Sequence, residues 1–314
     1  MSWVEMKTRG LREEAEGILA VELCMADSTP LPFSWEPGAH VDVQMGSGVV
    51  RQYSLTNLAD EGCLRLAIKH ADDSRGGSRW LHQQLRVGDR LKVSAPRNLF
   101  PLQPGTGPVL LVAAGIGVTP LLAMYRQCRA EQRPVQLLYF ARSPAHSAFI
   151  EQLRHDPAVR LISGLAAAEV GAYLDQHLPA WQADSQLYTC GPDGFMARVQ
   201  QLAGERGWPS SALFQEHFQA PQVSDSQEAE LVLARSGKRV VVQAGETLVA
   251  AAERVGVSIP TSCGMGMCGA CMTAVVSGEI EHRDQYLSDA ERASGQWIMP
   301  CVSGCAGGRL ELDV

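Results

Sequence analysis

The sequence predicts a multi-domain protein of β and α/β class, with three domains in succession. Three patterns carry that prediction. Residues 1–103 break into short alternating segments separated by turn residues, and residues 104–223 alternate apolar strands with helical stretches. Residues 224–314 hold a hairpin, one amphipathic helix and a glycine-rich run of cysteines. These read in turn as an antiparallel β-barrel, a parallel α/β sheet and a small mixed sheet. A chain of 314 residues has room for two or three domains.

Composition narrows the function classes. Hydrophobic content of 46% with 19% charged residues fits a globular protein. A net charge of −7 with no Lys/Arg cluster argues against a nucleic-acid partner. The first twenty residues mix acids and bases without an apolar core, so no signal peptide is expected. The longest apolar run, Pro108 to Met124, is broken by Gly115, Gly117 and Pro120. It reads as strand, turn and helix, not as a membrane span. Nine cysteines without an export signal point to a reducing, cytoplasmic setting. Of these, Cys24, Cys63 and Cys128 sit in apolar patterns and are expected in the core, with Cys305 structural.

In the barrel, strands are expected at Ile18–Cys24, His40–Met45, Gln52–Thr56, Leu64–His70 and Arg90–Ser94. The run Arg51-Gln52-Tyr53-Ser54-Leu55-Thr56 places a cation, a ring and hydroxyls at one strand end. Such a strand can bind phosphate, pack a flat ring and hydrogen-bond its heteroatoms. Any edge strand can also read R-x-Y-S. The run Arg75-Gly76-Gly77-Ser78 leads into a helical stretch, Arg79–Leu85. Glycines entering a helix offer free N–H groups to an anion, although a plain glycine turn with a serine cap reads the same way.

In the α/β domain, strands are expected at Val109–Ala113, Val135–Phe140, Val159–Ser163 and Gln186–Thr189. Helices are expected at Pro120–Glu131, Phe149–Arg154 and near 170–177. The first strand runs into Gly115-Ile116-Gly117-Val118-Thr119-Pro120, a glycine turn where a pyrophosphate can meet backbone N–H groups and a helix dipole. It falls short of the full G-x-G-x-x-G fingerprint. A later strand ends in Cys190-Gly191-Pro192, at the carboxyl edge where such sheets bind ligands. No His/Asn arrangement supports Cys190 as a nucleophile, so a pocket-shaping role is expected. Arg142, after the second strand, is placed to accept a 2′-phosphate. Phe214-Gln215-Glu216-His217-Phe218 follows, and then a polar linker from Gln219 to Glu228.

The last domain opens with a hairpin, Leu231–Arg235 and Arg239–Gln243, across Ser236-Gly237-Lys238. A helix over Glu246–Val255, a strand over Cys271–Ser277, a serine-capped helix over Ser288–Ser294 and a closing strand over Arg309–Val314 complete it. Between helix and strand, Cys263, Cys268 and Cys271 are spaced C-x4-C-x2-C, and Cys301 follows at a distance. That is the plant-type spacing of a 2Fe–2S cluster held by four thiolates. A structural zinc site would show paired C-x2-C half-sites, and only one is present. Gly264, Gly266 and Gly269 allow positive φ and bring backbone N–H groups near sulfur.

The order of R-x-Y-S, G-G-S, G-I-G-x-T-P, C-G-P, E-x-F and the C-terminal cysteines resembles the phthalate dioxygenase reductase family along essentially the whole chain. These are NADH-dependent reductases of Rieske-type aromatic-ring oxygenases and demethylases. His282-Arg283-Asp284, Leu287-Ser288-Asp289 and Leu310-Glu311-Leu312-Asp313 look like that family too. The resemblance implies a flavin-binding barrel, a nucleotide-binding domain and a β-grasp-like plant-type ferredoxin domain. Members with the ferredoxin domain last usually carry FMN, those with it first FAD, so FMN is expected here.

By position, the resemblance puts Arg51, with Gln52 beside it, at the flavin phosphate, and Tyr53 and Ser54 at the isoalloxazine and its N5. Ala67, Ile68 and Lys69 would line the pyrimidine edge, and Arg75, Gly76, Gly77 and Ser78 would complete the phosphate site. Gly115, Gly117 and Thr119 would meet the dinucleotide, with Cys190 and Gly191 by the nicotinamide. Phe218 would cover the flavin until nicotinamide displaces it, so Ser54, Thr119, Cys190 and Phe218 surround the reacting centre.

The implied path runs from NADH as hydride to FMN, then as single electrons through the 2Fe–2S cluster to a terminal Rieske oxygenase. A monomer is expected. Arg142 keeps NADPH open against the family's NADH habit. Rival readings are a haem or di-iron monooxygenase as acceptor, a flavin and iron–sulfur redox sensor, and a flavin-free electron carrier. One departure is Met265 and Met267, where relatives often place a polar residue after the first cysteine. These methionines are expected to shield sulfur from water and shift the cluster potential.

Overall fold

The computed structural model describes residues 3–27, 29–46, 48–71, 76–218 and 228–314. The chain forms two compact units, Met1–Glu216 and His217–Val314. Most of the expected Gln219–Glu228 linker lies outside the described residues.

In the first unit, six antiparallel strands form one sheet in the order β4-β3-β6-β1-β2-β5. They are β1 (Trp3–Ala15), β2 (Ile18–Met25), β3 (His40–Gln44), β4 (Val50–Ser54), β5 (Leu64–Lys69) and β6 (Arg90–Ser94). The two ends of that order approach each other, because the Thr56 N–H beyond β4 donates to the Arg65 carbonyl in β5 at 3.0 Å. Alternate residues point inward, so Val41 and Val43 of β3 pack with Met6, Leu23, Leu64, Leu66 and Val93. Helix α1 (Gly77–Gln83) adds Leu81 to that core. Strand β1 was not foreseen. Only Met6 and Thr8 in it are buried, and its register slips after Thr8 and again after Glu13, so no clean alternation marks it.

The same unit carries a parallel sheet in the order β11-β10-β7-β8-β9. Its strands are β7 (Val109–Ala114), β8 (Val135–Ala141), β9 (Val159–Ser163), β10 (Gln186–Cys190) and β11 (Leu213–Glu216). Helices α2 (Val118–Ala130), α3 (Ile150–Leu153), α4 (Ala167–His177) and α5 (Asp193–Glu205) connect them. Both faces are covered. Leu111 and Ala113 pack with Leu121 and Leu122 of α2, while Leu110 and Val112 pack with Leu174 of α4 and Val199 and Leu202 of α5. That is why the strands read as continuous apolar runs. Helix α5 had no counterpart in the expected elements, although the sheet needs it as a cover. Ile18 and Ala67 of the barrel join the α2-side core. The Glu16 N–H donates to the Ala145 carbonyl at 2.8 Å, and the Phe149 N–H to the Glu14 carboxylate at 3.1 Å. Barrel and parallel sheet thus form one folded unit.

The second unit is a mixed sheet in the order β13-β12-β16-β14-β15. Its strands are β12 (Ala229–Leu233), β13 (Lys238–Val242), β14 (Thr273–Glu281), β15 (Trp297–Ile298) and β16 (Gly304–Leu312). Strands β12 and β16 pair in parallel, and the other neighbours are antiparallel. Helix α6 (Leu248–Arg254) lays Leu248, Ala251 and Ala252 on Leu231, Val240 and Leu310. Its N-cap Thr247 accepts from the Ala250 N–H at 3.1 Å. Ser288 caps α7 (Asp289–Ser294) with a reciprocal bond from Glu291, as the sequence predicts. Among the described residues no helix is long and apolar enough to cross a membrane.

Cys63 and Cys128 are buried as expected, but Cys24 is only half-buried and its thiol points at the Lys7 carbonyl. Cys305 packs half-buried on the second unit's core.

Candidate functional site

The R-x-Y-S strand and the G-G-S turn meet in space. A Cβ on Gly77 would lie 2.8 Å from Cγ and 3.2 Å from Nε of Arg51, so the arginine stem rests on the glycine that opens α1. Gly76 directly precedes that helix, and the Ser78 hydroxyl accepts from the Ala71 N–H at 3.1 Å. Arg75 lies outside the described residues. Tyr53 packs against the barrel core, and its burial pushes the phenol upward, opposed by the Arg51 cation. Ser54 is buried opposite His40. Gln52 points to the face opposite Arg51, and its Nε2 is buried without a hydrogen-bond partner.

Strand β5 ends the strand order. The side chains of Ala67 and Ile68 are buried and that of Lys69 is exposed, so the first two offer mainly backbone groups. One of these, the Ile68 carbonyl, already meets His82 Nε2 at 2.8 Å. A guanidinium over a glycine cradle with a ring on the same strand face fits a planar ligand with a phosphate tail.

At the carboxyl edge of the parallel sheet two loops interlock. A Cβ on Gly117 would lie 2.2 Å from the Cys190 carbonyl oxygen, and one on Gly191 would lie 2.8 Å from Ala114 Cβ. The glycine turn after β7 and the C-G-P turn after β10 are therefore one surface, beside the start of α2. Thr119 is buried and donates its hydroxyl to the Ile116 carbonyl at 2.9 Å. Cys190 is wholly buried in the core, and burial drives its thiol well up, so it contributes shape and not a thiolate. Arg142 is exposed just beyond β8, and its carbonyl accepts from the Gly164 N–H at 3.2 Å. Phe218 belongs to the second unit and is 42% exposed.

One residue of this edge had no assigned role at the level of sequence. Glu216 pairs with Cys190 across β10 and β11, is 6% exposed, and has Oε2 buried without a partner. Burial pushes its carboxyl up to about 8. The available signal was an acid ending the short strand that closes the sheet.

In the second unit the cysteine loop adopts the backbone its glycines permit, with φ of 66° at Gly264, 70° at Gly266 and 72° at Gly269. Successive N–H groups turn toward sulfur. Met265 donates to Cys263 Sγ at 3.3 Å, and the backbone of Met267 lowers the Cys263 thiol as that of Gly266 lowers the Cys301 thiol. Such a nest of N–H groups stabilises anionic thiolates.

The four thiols fall into two pairs. Cys268 is the strongest influence on the Cys263 thiol, and the sulfurs of Cys271 and Cys301 are 3.2 Å apart. The Cys271–Cys301 bond lowers Cys271 and raises Cys301, as expected of two sulfurs sharing one proton. Among the described residues no three His, Cys, Asp or Glu side chains converge as around a single ion. Two thiolates for each of two irons is the arrangement this set fits. Met265 and Met267 are half-buried, and the ring of Tyr286 lies so close to Gly269 that a Cβ there would be 2.4 Å from its Cζ.

Comparison with known proteins agrees with this architecture. Residues 231–305 match the 2Fe-2S iron-sulfur cluster binding domain, and residues 92–213 match the N-terminal domain of DmmA-like dimethylamine monooxygenase subunits. The chain is 38% identical to a vanillate O-demethylase oxidoreductase of a Pseudomonas strain, over 99% of this chain and 100% of that one. It is 37% identical to the reductase subunit of the toluene-4-sulfonate monooxygenase system of Comamonas testosteroni, over 99% of each. Among solved structures it is similar to phthalate dioxygenase reductase, described as a modular structure for electron transfer from pyridine nucleotides to a 2Fe–2S centre. That likeness has a TM-score of 0.77 and 32% identity, over 100% of this chain and 98% of that one. With an antiparallel sheet, a parallel sheet and a cluster-binding mixed sheet in the same succession, the chain belongs to the phthalate dioxygenase reductase family of electron-transfer oxidoreductases.

Proposed function

We propose that this chain is the NADH-dependent reductase of a Rieske-type oxygenase system, with FMN in the first unit and a 2Fe–2S cluster in the second. The observation that carries the reading is the presence, in one chain, of the Arg51–Gly77 cradle and the two-by-two set of thiols. Together these groups supply, when bound, the conversion of a two-electron hydride donor into single electrons.

The protein's part is positioning. Arg51 with Gly76, Gly77 and Ser78 holds the phosphate; Tyr53 and Ser54 seat the ring; the backbone of Ala67–Lys69 meets its polar edge. Gly115 and Gly117 let a pyrophosphate reach N–H groups at the start of α2, and the Cys190–Gly191 turn floors the nicotinamide site. Glu216 keeps a proton near neutral pH beside that floor. Arg142 stands where the adenosine ribose of a dinucleotide would come. Cys263, Cys268, Cys271 and Cys301 bind the cluster.

A Rieske centre has a higher potential than a plant-type one, so electrons leave downhill. FMN is favoured over FAD by the C-terminal position of the cluster domain. A cytoplasmic setting fits the cysteine usage, and a monomer is what the family resemblance implies. A second reading, with a different monooxygenase as acceptor, is favoured by the match of residues 92–213 to a dimethylamine monooxygenase subunit.

The test is an anaerobic absorbance titration with NADH, repeated with NADPH, followed by a purified Rieske oxygenase. Bleaching of flavin and iron–sulfur bands at low NADH, then recovery on adding the oxygenase, is expected. A stronger response to NADPH would make Arg142 a 2′-phosphate ligand. Bleaching by neither nucleotide, with both chromophores present, would sink the reading in favour of a redox sensor.

A further inference from the structure

The peptide planes of the cysteine loop are aimed from behind. The Gly266 carbonyl accepts from the Gln285 N–H at 3.0 Å. In a trans peptide the N–H points away from the C=O, so this bond turns the Met267 N–H to the side away from Gln285, where its dipole favours the Cys263 thiolate. The Gly266 N–H likewise favours the Cys301 thiolate, and the Met265 N–H donates to Cys263 Sγ at 3.3 Å.

Gln285 is itself fixed by Asp284. That carboxylate is buried, with the residue 4% exposed. Its Oδ2 accepts from the Leu287 N–H at 2.9 Å and the Tyr286 N–H at 3.2 Å. Its Oδ1 faces the Ser303 hydroxyl at 3.2 Å and His282 Nδ1 at 3.4 Å. Arg292 binds the Asp284 backbone carbonyl at 2.6 Å. Contact with the loop is direct, since a Cβ on Gly266 would lie 3.0 Å from Asp284 Cα and 2.5 Å from Val302 Cγ2. Segment 282–287 is thus a rigid backing for the loop, and Asp284 is what stiffens it.

We propose that Asp284 is the positioning residue that aims the loop N–H groups at Cys263 and Cys301 and so sets the reduction potential of the cluster, an inference that rests on reading this loop as a cluster site. Hydrogen bonds to ligand sulfur favour the reduced cluster, which carries the extra negative charge, so better-aimed donors raise the potential.

Removing the carboxylate changes charge as well as geometry, and the test must cancel the charge. Asp284→Asn and Asp284→Ala are both neutral, but only asparagine keeps an oxygen for Tyr286 and Leu287. Full-length wild type and both variants are compared by potentiometric titration and by EPR of the dithionite-reduced cluster. The alanine variant is expected to be at least tenfold harder to reduce than the asparagine variant, which is 59 mV for one electron. Its g-values should shift while those of Asp284→Asn stay near wild type.

Equal potentials and spectra in the two variants, with full cluster content, would show that Asp284 only supports the fold. Should Asp284→Ala lose its cluster, Asp284→Ser, whose one oxygen takes a single N–H, gives the same comparison. Wild-type protein with no EPR-active reduced cluster would instead overturn the cluster site itself.

Discussion

Gly117 touches the main chain of Cys190 so closely that an added Cβ would stand 2.2 Å from the carbonyl oxygen. Neither partner can move, because the glycine sits directly before α2 and Cys190 ends a central strand of the parallel sheet. Gly117→Ala is expected to cost about 1–3 kcal/mol of stability, as overpacking usually does. It should raise the KM for NADH at least about tenfold by parting the two loops, about 1.4 kcal/mol of lost binding. Urea melts and steady-state kinetics at constant flavin content check both.

The Arg51–Gly77 contact makes a second prediction. Arg51→Ala removes a charged hydrogen-bond donor of roughly 1.5–3 kcal/mol, so FMN should dissociate about 10- to 100-fold more readily. Gly77→Ala should act in the same direction by displacing the arginine stem, and the double variant should add little to Arg51→Ala. Fluorescence of released flavin measures all three. Full additivity would mean that the two residues do not share one ligand group.

Glu216 sets a pH dependence with a definite sign. Its carboxyl is raised in the folded chain to about 8 by burial, so the folded state holds a proton that the unfolded state gives up. The stabilisation is complete below the ordinary carboxylate range and is lost as pH rises toward 8. Within that window the slope approaches about 1.4 kcal/mol per pH unit. Denaturant melts from pH 5 to 8 should show wild type losing stability relative to Glu216→Gln. Parallel curves would mean that the carboxylate is ionised and paired in the native state.

Much of this was legible in the sequence because some residue types serve few purposes. The cysteine spacing located the cluster loop, and the loop glycines took the positive φ expected of them. The glycine turn after β7 was legible as a ligand-facing bend, but its contact with Cys190 was not, since the two lie far apart in sequence and meet only through strand order. The same holds for Gly77 beneath Arg51. Glu216 and Asp284 were present in recognised segments without roles, because burial decides their chemistry and burial is a tertiary property. Strand β1 was missed for a local reason, as two register slips erase its alternation.

Cys301→Ser should separate the two halves of the electron path. The cluster should be lost, while anaerobic NADH still bleaches the flavin at the wild-type rate. Transfer to the oxygenase should fall by more than the roughly 100-fold typical of losing an outer partner of a metal ligand. Iron analysis, stopped-flow absorbance and oxygenase turnover supply the three readings, and retained oxygenase turnover would place the exit of electrons elsewhere.

Strand β16 occupies the middle of its sheet, between β12 and β14, yet the other four strands of that sheet all precede it in sequence. During synthesis the first unit can fold as it leaves the ribosome, but β12 and β14 stay without their shared neighbour until Gly304–Leu312 has emerged. Cys301 leaves just ahead of that strand, long after the three loop cysteines. The thiols that need one another are thus brought together only once this last-placed neighbour has emerged, which makes cluster assembly a later event than folding of the first unit.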